Sequence, residues 1–249
     1  MLAIERRSQI IQTLEKEKRV LVPGLAKQYG VTEETIRRDL EKLAKEGLLT
    51  KTYGGAVLAE NLSHELPYMM RAETNKTQKL QIAEKIQKLI NPKENIMLDA
   101  SSTCVHIARK LVNLELTIIT NSVEILIECA AAKGINVFST GGTLRGSSLS
   151  LVGSTVSQML NQLTADKAII SCKGLDFEKG VMESNLAESE VKKAMAMNAS
   201  QLILAVDSSK FNRMSFAKML EFERVDLVVS DYIPPEWARF FDENGINYM

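Results

Sequence analysis

Two groups of residues in this 249-residue chain combine useful chemistry with a suggestive spacing. The first runs through Thr32, Thr35, Arg37, Arg38 and Lys42. Arginine grips a phosphate or a guanine edge through two parallel N–H donors, and a threonine near a helix N-terminus reaches bases or phosphates. Lys51, Thr52 and Tyr53, just before Gly54-Gly55, add a cation and a phenol suited to backbone or minor-groove contacts that position rather than specify. The same residues can also be the solvated face of a small protein-docking domain; the order of the elements around them favours DNA.

The second group is spread over four short polar stretches. Asp99-Ala100-Ser101-Ser102-Thr103 places three hydroxyls in a row, and Thr120-Asn121-Ser122, Thr140-Gly141-Gly142-Thr143-Leu144-Arg145 and Asp207-Ser208-Ser209-Lys210 resemble it in kind. Each follows a run that reads as a β-strand, where α/β sheets bind ligands. Hydroxyls at a helix N-terminus suit an anion, since unpaired N–H groups and the helix dipole both favour negative charge. Arg145 and Lys210 complement a phosphate, Asn121 and the aspartates suit sugar hydroxyls, and Gly141-Gly142 allow close backbone approach. Taken singly, such clusters also serve as turns and caps; four of them at one sheet edge form a pocket for a small phosphorylated metabolite.

Other chemistries find little support. His64 and His106 are the two histidines and lie in different segments with no Cys or carboxylate at ligand spacing, so no metal site or catalytic triad is expected. Cys104, Cys129 and Cys172 are flanked by apolar residues and read as buried free thiols. No catalytic residue and no cofactor is assigned.

The elements that position these residues follow from periodicity. Ile10, Ile11 and Leu14 recur at helical spacing, Pro23 starts a second short helix that ends at Gly30, and Thr32 caps a third. In that third helix Ile36, Leu40 and Leu43 form the apolar stripe, leaving Thr35, Arg37, Arg38, Lys42 and Lys45 turned partly or wholly outward, and the helix ends near Gly47. Leu48 to Tyr53 reads as a strand broken by the glycine pair. Three helices and a glycine-tipped hairpin make a winged helix-turn-helix over residues 1–59. An irregular linker is expected at 60–73, then a long helix from Thr74 to Ile90 opens an effector-sensing domain at 74–249. In that domain apolar runs beginning at Ile96, Leu116, Ile135, Ala168, Leu202 and Leu227 alternate with helical patterns, the signature of an α/β fold with a mainly parallel sheet. Pro234 to Phe241 reads as a helix whose aromatics pack the end of the domain.

Composition agrees. The chain is 45% hydrophobic and 25% charged with zero net charge, yet residues 1–59 hold 11 Lys+Arg against 8 Asp+Glu while 60–249 hold 20 against 23. The basic excess sits where DNA reading is expected. No apolar run approaches the roughly 20 residues of a membrane helix, and the charged start MLAIERRSQI is unlike a signal peptide, so a cytoplasmic location without membrane contact is expected.

The stretch from Val20 to Leu58, with Val-Thr-x-x-Thr-Ile-Arg-Arg-Asp-Leu at Val31 to Leu40, resembles the DeoR family of bacterial regulators of sugar metabolism. Members usually carry Arg where this chain has Lys51. With the signature included, the DNA-binding set is Val31, Thr32, Thr35, Ile36, Arg37, Arg38, Lys42, Lys51 and Tyr53. The later loops resemble the family's sensor domain, itself related in fold to ribose-phosphate isomerases; Ser101 and Ser102 replace the glycine and first threonine of the usual Asp-x-Gly-Thr-Thr. The resemblance adds Lys79, Asp166, Lys173 and Glu188 to an effector set of Asp99, Ala100, Ser101, Ser102, Thr103, Asn121, Ser122, Gly141, Gly142, Arg145 and Lys210. It implies a repressor of a sugar-metabolism operon that binds double-stranded operator DNA and is relieved by a phosphorylated sugar or related intermediate. A homo-oligomer, dimer or tetramer, is expected because one small winged head spans too short a site. The alternative is a sugar-phosphate isomerase-like enzyme with a DNA-binding appendage, which fold resemblance alone does not establish.

Overall fold

In the computed structural model, which describes residues 1–58 and 66–249, the chain divides into two compact units, Met1–Thr74 and Asn75–Met249. The first contains α1 (Ala3–Glu17), β1 (Arg19–Leu21), α2 (Val22–Tyr29), α3 (Glu33–Lys45), β2 (Leu49–Thr52), β3 (Gly55–Leu58) and α4 (Tyr68–Glu73). Ile10, Leu14, Leu25, Ile36, Leu40, Leu43 and Leu48 meet in one core beneath the hairpin. Gly30 ends α2 at φ +64° and Gly47 follows α3 at φ +74°, the left-handed conformations that glycine adopts without strain. Two features depart from the sequence reading. A third strand, β1, pairs antiparallel with β3, so the wing is a three-stranded sheet in the order β1-β3-β2. The expected linker is also partly structured: positions 60–65, including His64, lie outside the described residues, but α4 belongs to the first unit, with Tyr68 and Met70 buried.

The second unit is built on a parallel sheet of seven strands. Its elements are α5 (Lys76–Gln87), β4 (Asn95–Leu98), α6 (Ser102–Leu111), β5 (Leu116–Thr120), α7 (Val123–Cys129), β6 (Ile135–Ser139), β7 (Thr143–Arg145), β8 (Ser150–Val152), α8 (Ser154–Leu160), β9 (Ala165–Ile170), β10 (Gly174–Asp176), β11 (Gly180–Glu183), α9 (Leu186–Met197), β12 (Ala199–Ala205), β13 (Ala217–Leu220), β14 (Leu227–Val229), α10 (Pro235–Glu243) and β15 (Asn247–Tyr248). The strand order is β15-β14-β12-β9-β4-β5-β6, every pairing parallel, with β10-β11-β13 and β7-β8 as small antiparallel additions. The chain winds outward from β4 through β5 to β6, then returns and winds the other way from β9. The switch point therefore falls between β4 and β9, where α/β sheets open a crevice at their carboxyl ends. The central strands β4, β5, β9 and β12 are mostly buried and rich in Val, Ile, Leu and Ala, as a sheet covered on both faces requires, whereas the edge strand β6 is largely exposed. At one end Trp237 and Phe241 are wholly buried among Phe211, Phe222 and Phe240, and the Trp237 indole N–H donates to Asn212 Oδ1 at 2.8 Å, so these aromatics pack the domain as their spacing suggested. Among the described residues no helix is long and apolar enough to cross a membrane.

Candidate functional site

In the first unit α3 presents the basic face. Thr32 caps the helix by accepting from the Thr35 backbone N–H at 3.3 Å, and Glu33 and Glu34 sit in the first turn, where the helix dipole favours them. Arg37 and Arg38 each reach back one turn to these carboxylates, and both remain largely exposed, at 56% and 78% of their side-chain surface. Such exposed pairs are worth little and give way readily to a phosphate. Lys42 and Lys45 are exposed too. Asp39, between the arginines and Leu40, points inward: Arg6 Nε lies 2.6 Å from its Oδ2 and Arg7 Nη1 3.7 Å from its Oδ1, a buried ion pair fastening α1 to α3.

One DNA-binding assignment is corrected. Ile36 is fully buried at the centre of the core, because it lies on the inward stripe with Leu40 and Leu43, and cannot touch DNA. Val31 is half-buried against the same core. At the wing, Lys51 is exposed and Tyr53 stands fully in solvent at the tip beside Gly54, which takes φ +81°. Gly55 serves packing instead: a Cβ there would lie 2.0 Å from the Val20 carbonyl oxygen across the β1-β3 pair.

In the second unit the carboxyl ends of the strands carry a continuous polar rim. Asp99, wholly buried after β4, accepts from the Ser101 N–H and, across the switch point, from the Ser171 N–H, both at 3.0 Å. Lys192 of α9 closes the group. Its ammonium lies 3.2 Å from Asp99 Oδ2 in an ion pair, donates to the Ser171 carbonyl at 2.9 Å and donates to Glu183 Oε2. Burial alone would raise the pKa of Asp99 and of Glu183, but Lys192 and the hydrogen bonds outweigh it and hold both below the usual carboxylate range. Lys192 is held protonated in return, against a burial cost. Burial also pushes the Cys172 thiol up to about 12, so this cysteine behaves as an inert core residue.

Beside this group Glu188, in the first turn of α9, accepts from Ser148 at 2.8 Å and from Ser150, with Arg145 Nη1 at 3.6 Å. Arg145 also donates to Ser148 at 2.9 Å. Asn121 donates to the Leu151 carbonyl at 3.0 Å, and its Oδ1 is buried without a donor among the described residues. On the other side Asp207 Oδ1 accepts from Asn75 at 2.9 Å and from the Ser209 N–H at 3.2 Å, whereas Oδ2 has no hydrogen-bond donor among the described residues and faces Lys210 at 3.8 Å. Burial would raise the Asp207 pKa; Lys210, Ser209 and the charge of buried Lys79 lower it.

The rim thus gathers Lys79, Asp99, Asn121, Arg145, Lys173, Glu188 and Lys210. Lys173 lies between β9 and β10, its N–H donating to the Met182 carbonyl at 2.9 Å, and its charge helps hold Glu183 ionised. Ala100, Ser101, Ser102 and Thr103 are buried at the start of α6, where Ser101 caps the helix by accepting from the Cys104 N–H at 3.1 Å; Ser122 caps α7 in the same way at 3.3 Å. Asp166 is the second correction. It sits at the amino end of β9, accepting from the Asn95 N–H at 2.8 Å, and four residues of strand put it roughly 13 Å from the rim. Gly142 is required by packing, since a Cβ would lie 2.4 Å from Val156 Cγ2 and 2.9 Å from the Val152 carbonyl; Gly141, at φ +64°, has open space around it. Lys192, Glu183, Ser148, Ser150 and Ser171 were not singled out from sequence. The spacing of Glu188 and Lys192, one helical turn apart, is the signal that would have drawn attention to α9.

A basic winged helix-turn-helix joined to an α/β unit with a polar rim at its switch point defines a DNA-binding regulator with a sensor domain. Residues 6–61 match the family model described as the DeoR-like helix-turn-helix domain, and residues 74–232 match the DeoR C terminal sensor domain. The chain belongs to the DeoR family of transcriptional regulators. It is 37% identical over 93% of its length, and 90% of the relative's, to an uncharacterized HTH-type transcriptional regulator, YulB, of Bacillus subtilis (strain 168). It is 30% identical to the HTH-type transcriptional repressor GlcR of the same organism, over 98% of this chain and 95% of the other. The L-fucose operon activator of Escherichia coli (strain K12) is 31% identical over 91% of this chain and 94% of its own. Among solved structures, ribose 5-phosphate isomerase A from Methanocaldococcus jannaschii overlays 55% of each chain at a TM-score of 0.42 and 19% identity, too partial an overlay to bear on activity.

Proposed function

We propose that this regulator is a repressor of a sugar-metabolism operon whose hold on DNA is controlled by a phosphorylated sugar, or a related intermediate, captured at the carboxyl rim of the sheet. The observation that carries the reading is the pairing of unmet acceptors with cations. Asn121 Oδ1 and Asp207 Oδ2 are buried without donors among the described residues, and both lie on a rim that also holds Lys79, Arg145 and Lys210. Buried acceptors that lack donors are costly and call for hydroxyls; cations and helix N-termini call for a phosphate. A sugar phosphate supplies both. Asp99, Glu183 and Glu188, already occupied by Lys192, Arg145 and serines, shape the floor. On the DNA side Thr32, Thr35, Arg37, Arg38, Lys42, Lys51 and Tyr53 make the contacts, and two copies of the chain present two winged units to paired half-sites. The repressor direction follows the name given to GlcR.

The reading is tested by thermal shift of the whole protein with pentose and hexose phosphates, their neutral parent sugars and Lys210→Ala as control. A ligand at about 100 times its Kd adds about 2.7 kcal/mol of stability, a shift of several degrees that the neutral sugars and the variant fail to reproduce. Equal responses from the variant, or none from any sugar phosphate, refute the site. Raised transcription from the target promoter on deleting the gene supports repression; lowered transcription refutes it.

A further inference from the structure

We propose that Asn75 is the residue through which the effector site is coupled to the DNA-binding unit, its side-chain amide reading the state of Asp207 while its backbone opens the sensor unit directly behind Thr74. The inference rests on the preceding reading of the rim as an effector site and names the residue that regulates it.

Two adjacent residues are fastened to different units. The Thr74 hydroxyl lies 2.7 Å from Ser8 Oγ of α1 and donates to the Met70 carbonyl at 2.8 Å, so Thr74 is tied into the DNA-binding unit. Asn75 Nδ2 donates to Asp207 Oδ1 at 2.9 Å and to Ser209 Oγ at 3.1 Å, bonds that span 132 and 134 residues of sequence. The boundary between the units falls between these two positions. The peptide linking them is planar, so the rotations about Thr74 ψ and Asn75 φ are the soft torsions that lie between the two fastened residues. Asn75 also takes a left-handed backbone conformation, φ 52° and ψ 37°, which among residues with a side chain Asn and Asp tolerate best. One residue type therefore satisfies both the sharp entry into α5 and the bond to the rim.

Asp207 is asymmetric in the way a sensor requires. Its Oδ1 takes the donors from Asn75 and Ser209, and its Oδ2, without a hydrogen-bond donor among the described residues, faces Lys210. A ligand hydroxyl arriving at Oδ2, or a phosphate drawing Lys210 away, changes the orientation of the carboxylate that Asn75 holds and the charge around it. Lys79, one turn into α5, is buried close enough to Asp207 to feel its charge, so the start of the helix meets the rim at two points. Coupling needs a contact that differs between the bound and unbound states; this bond is placed to be that contact.

The test uses the full chain and a duplex selected from a randomised pool on the parent protein, with affinity read by fluorescence anisotropy and folding checked by Tm. Asn75→Asp keeps the backbone preference but sets a second carboxylate against Asp207. It is expected to change the duplex Kd about five-fold or more. The double variant with Asp207→Asn restores an amide–carboxylate bond with the partners exchanged and is expected to return Kd to within about two-fold of the parent. Asn75→Gly, which keeps the left-handed turn and removes the amide, should also shift Kd. The proposal is overturned if Asn75→Asp and Asn75→Gly both bind like the parent, or if the exchanged pair fails to restore affinity. Failure of the effector reading shows elsewhere, as a parent whose Tm no sugar phosphate moves.

Discussion

Lys192→Met removes the charge at the centre of the rim while keeping an unbranched stem in place. Lys192 is 6% exposed and its ammonium serves Glu183, Asp99 and the Ser171 carbonyl. Removing one partner from a buried ion pair costs about 3–5 kcal/mol, because uncompensated charge is left behind. Here the remaining carboxylates keep some donors, the Ser101 and Ser171 N–H groups on Asp99 and the Ser184 N–H and hydroxyl on Glu183, so the lower end, about 3 kcal/mol, is expected. For a unit of this size that lowers Tm by about 6–12 °C. The loss has a definite pH dependence. In the parent, Asp99 and Glu183 are depressed below their ordinary values of 3.8 and 4.5, so they contribute stability present above those values and lost as pH falls through the lower, folded ones. In the variant burial is no longer outweighed, the same carboxyls rise, and the folded state gains stability as pH falls from neutral towards about 4. The difference in Tm between parent and variant is thus largest near pH 7.5 and narrows by about pH 5. Differential scanning calorimetry at the two pH values measures it. A variant within about 2 °C of the parent at neutral pH, or a gap that does not change with pH, refutes the assignment of Lys192 as the counterion of this cluster.

Arg37→Ala and Arg38→Ala should each weaken duplex binding by about 1–3 kcal/mol and, where the lost contact is to phosphate, reduce the salt slope by about 1; anisotropy titrations over a salt series check this, with folding unaffected because both side chains are exposed. Ile36→Ala should cost about 2–5 kcal/mol in unfolding free energy, the mark of a core residue and not of a DNA contact; denaturant titration followed by a probe in the first unit decides between the two. Gly142→Ala should destabilise by about 2 kcal/mol or more through its clash with Val156 and the Val152 carbonyl, whereas Gly141→Ala should cost only about 1 kcal/mol of left-handed strain, and parallel denaturation curves separate them.

The elements that the sequence makes legible are those whose signal is local. Thr32 as a cap, Gly30 and Gly47 as helix stops and the Ile36, Leu40, Leu43 stripe each follow from a few neighbouring residues, and each is found where the pattern put it. The alternation of apolar runs with helices gave the parallel sheet for the same reason. Strand β1 is only three residues long and pairs with β3, more than thirty positions away, so its neighbours carry no trace of it. The rim shows the same division. Asp99, Asn121, Arg145 and Lys210 lie in polar loops after strands and could be picked out, but Lys192 lies inside a helix and becomes central only when α9 packs over the switch point. Asp166 shows the converse hazard: a carboxylate beside a strand is at the rim only if it follows the strand, and this one precedes most of it.

The most direct test of the whole account is one anisotropy titration of the selected duplex with the full chain, run with and without pentose and hexose phosphates and with the corresponding neutral sugars. The account predicts that at least one phosphorylated sugar weakens duplex binding by about five-fold or more while its neutral parent leaves binding unchanged. A Kd for duplex that no phosphorylated sugar alters would contradict it.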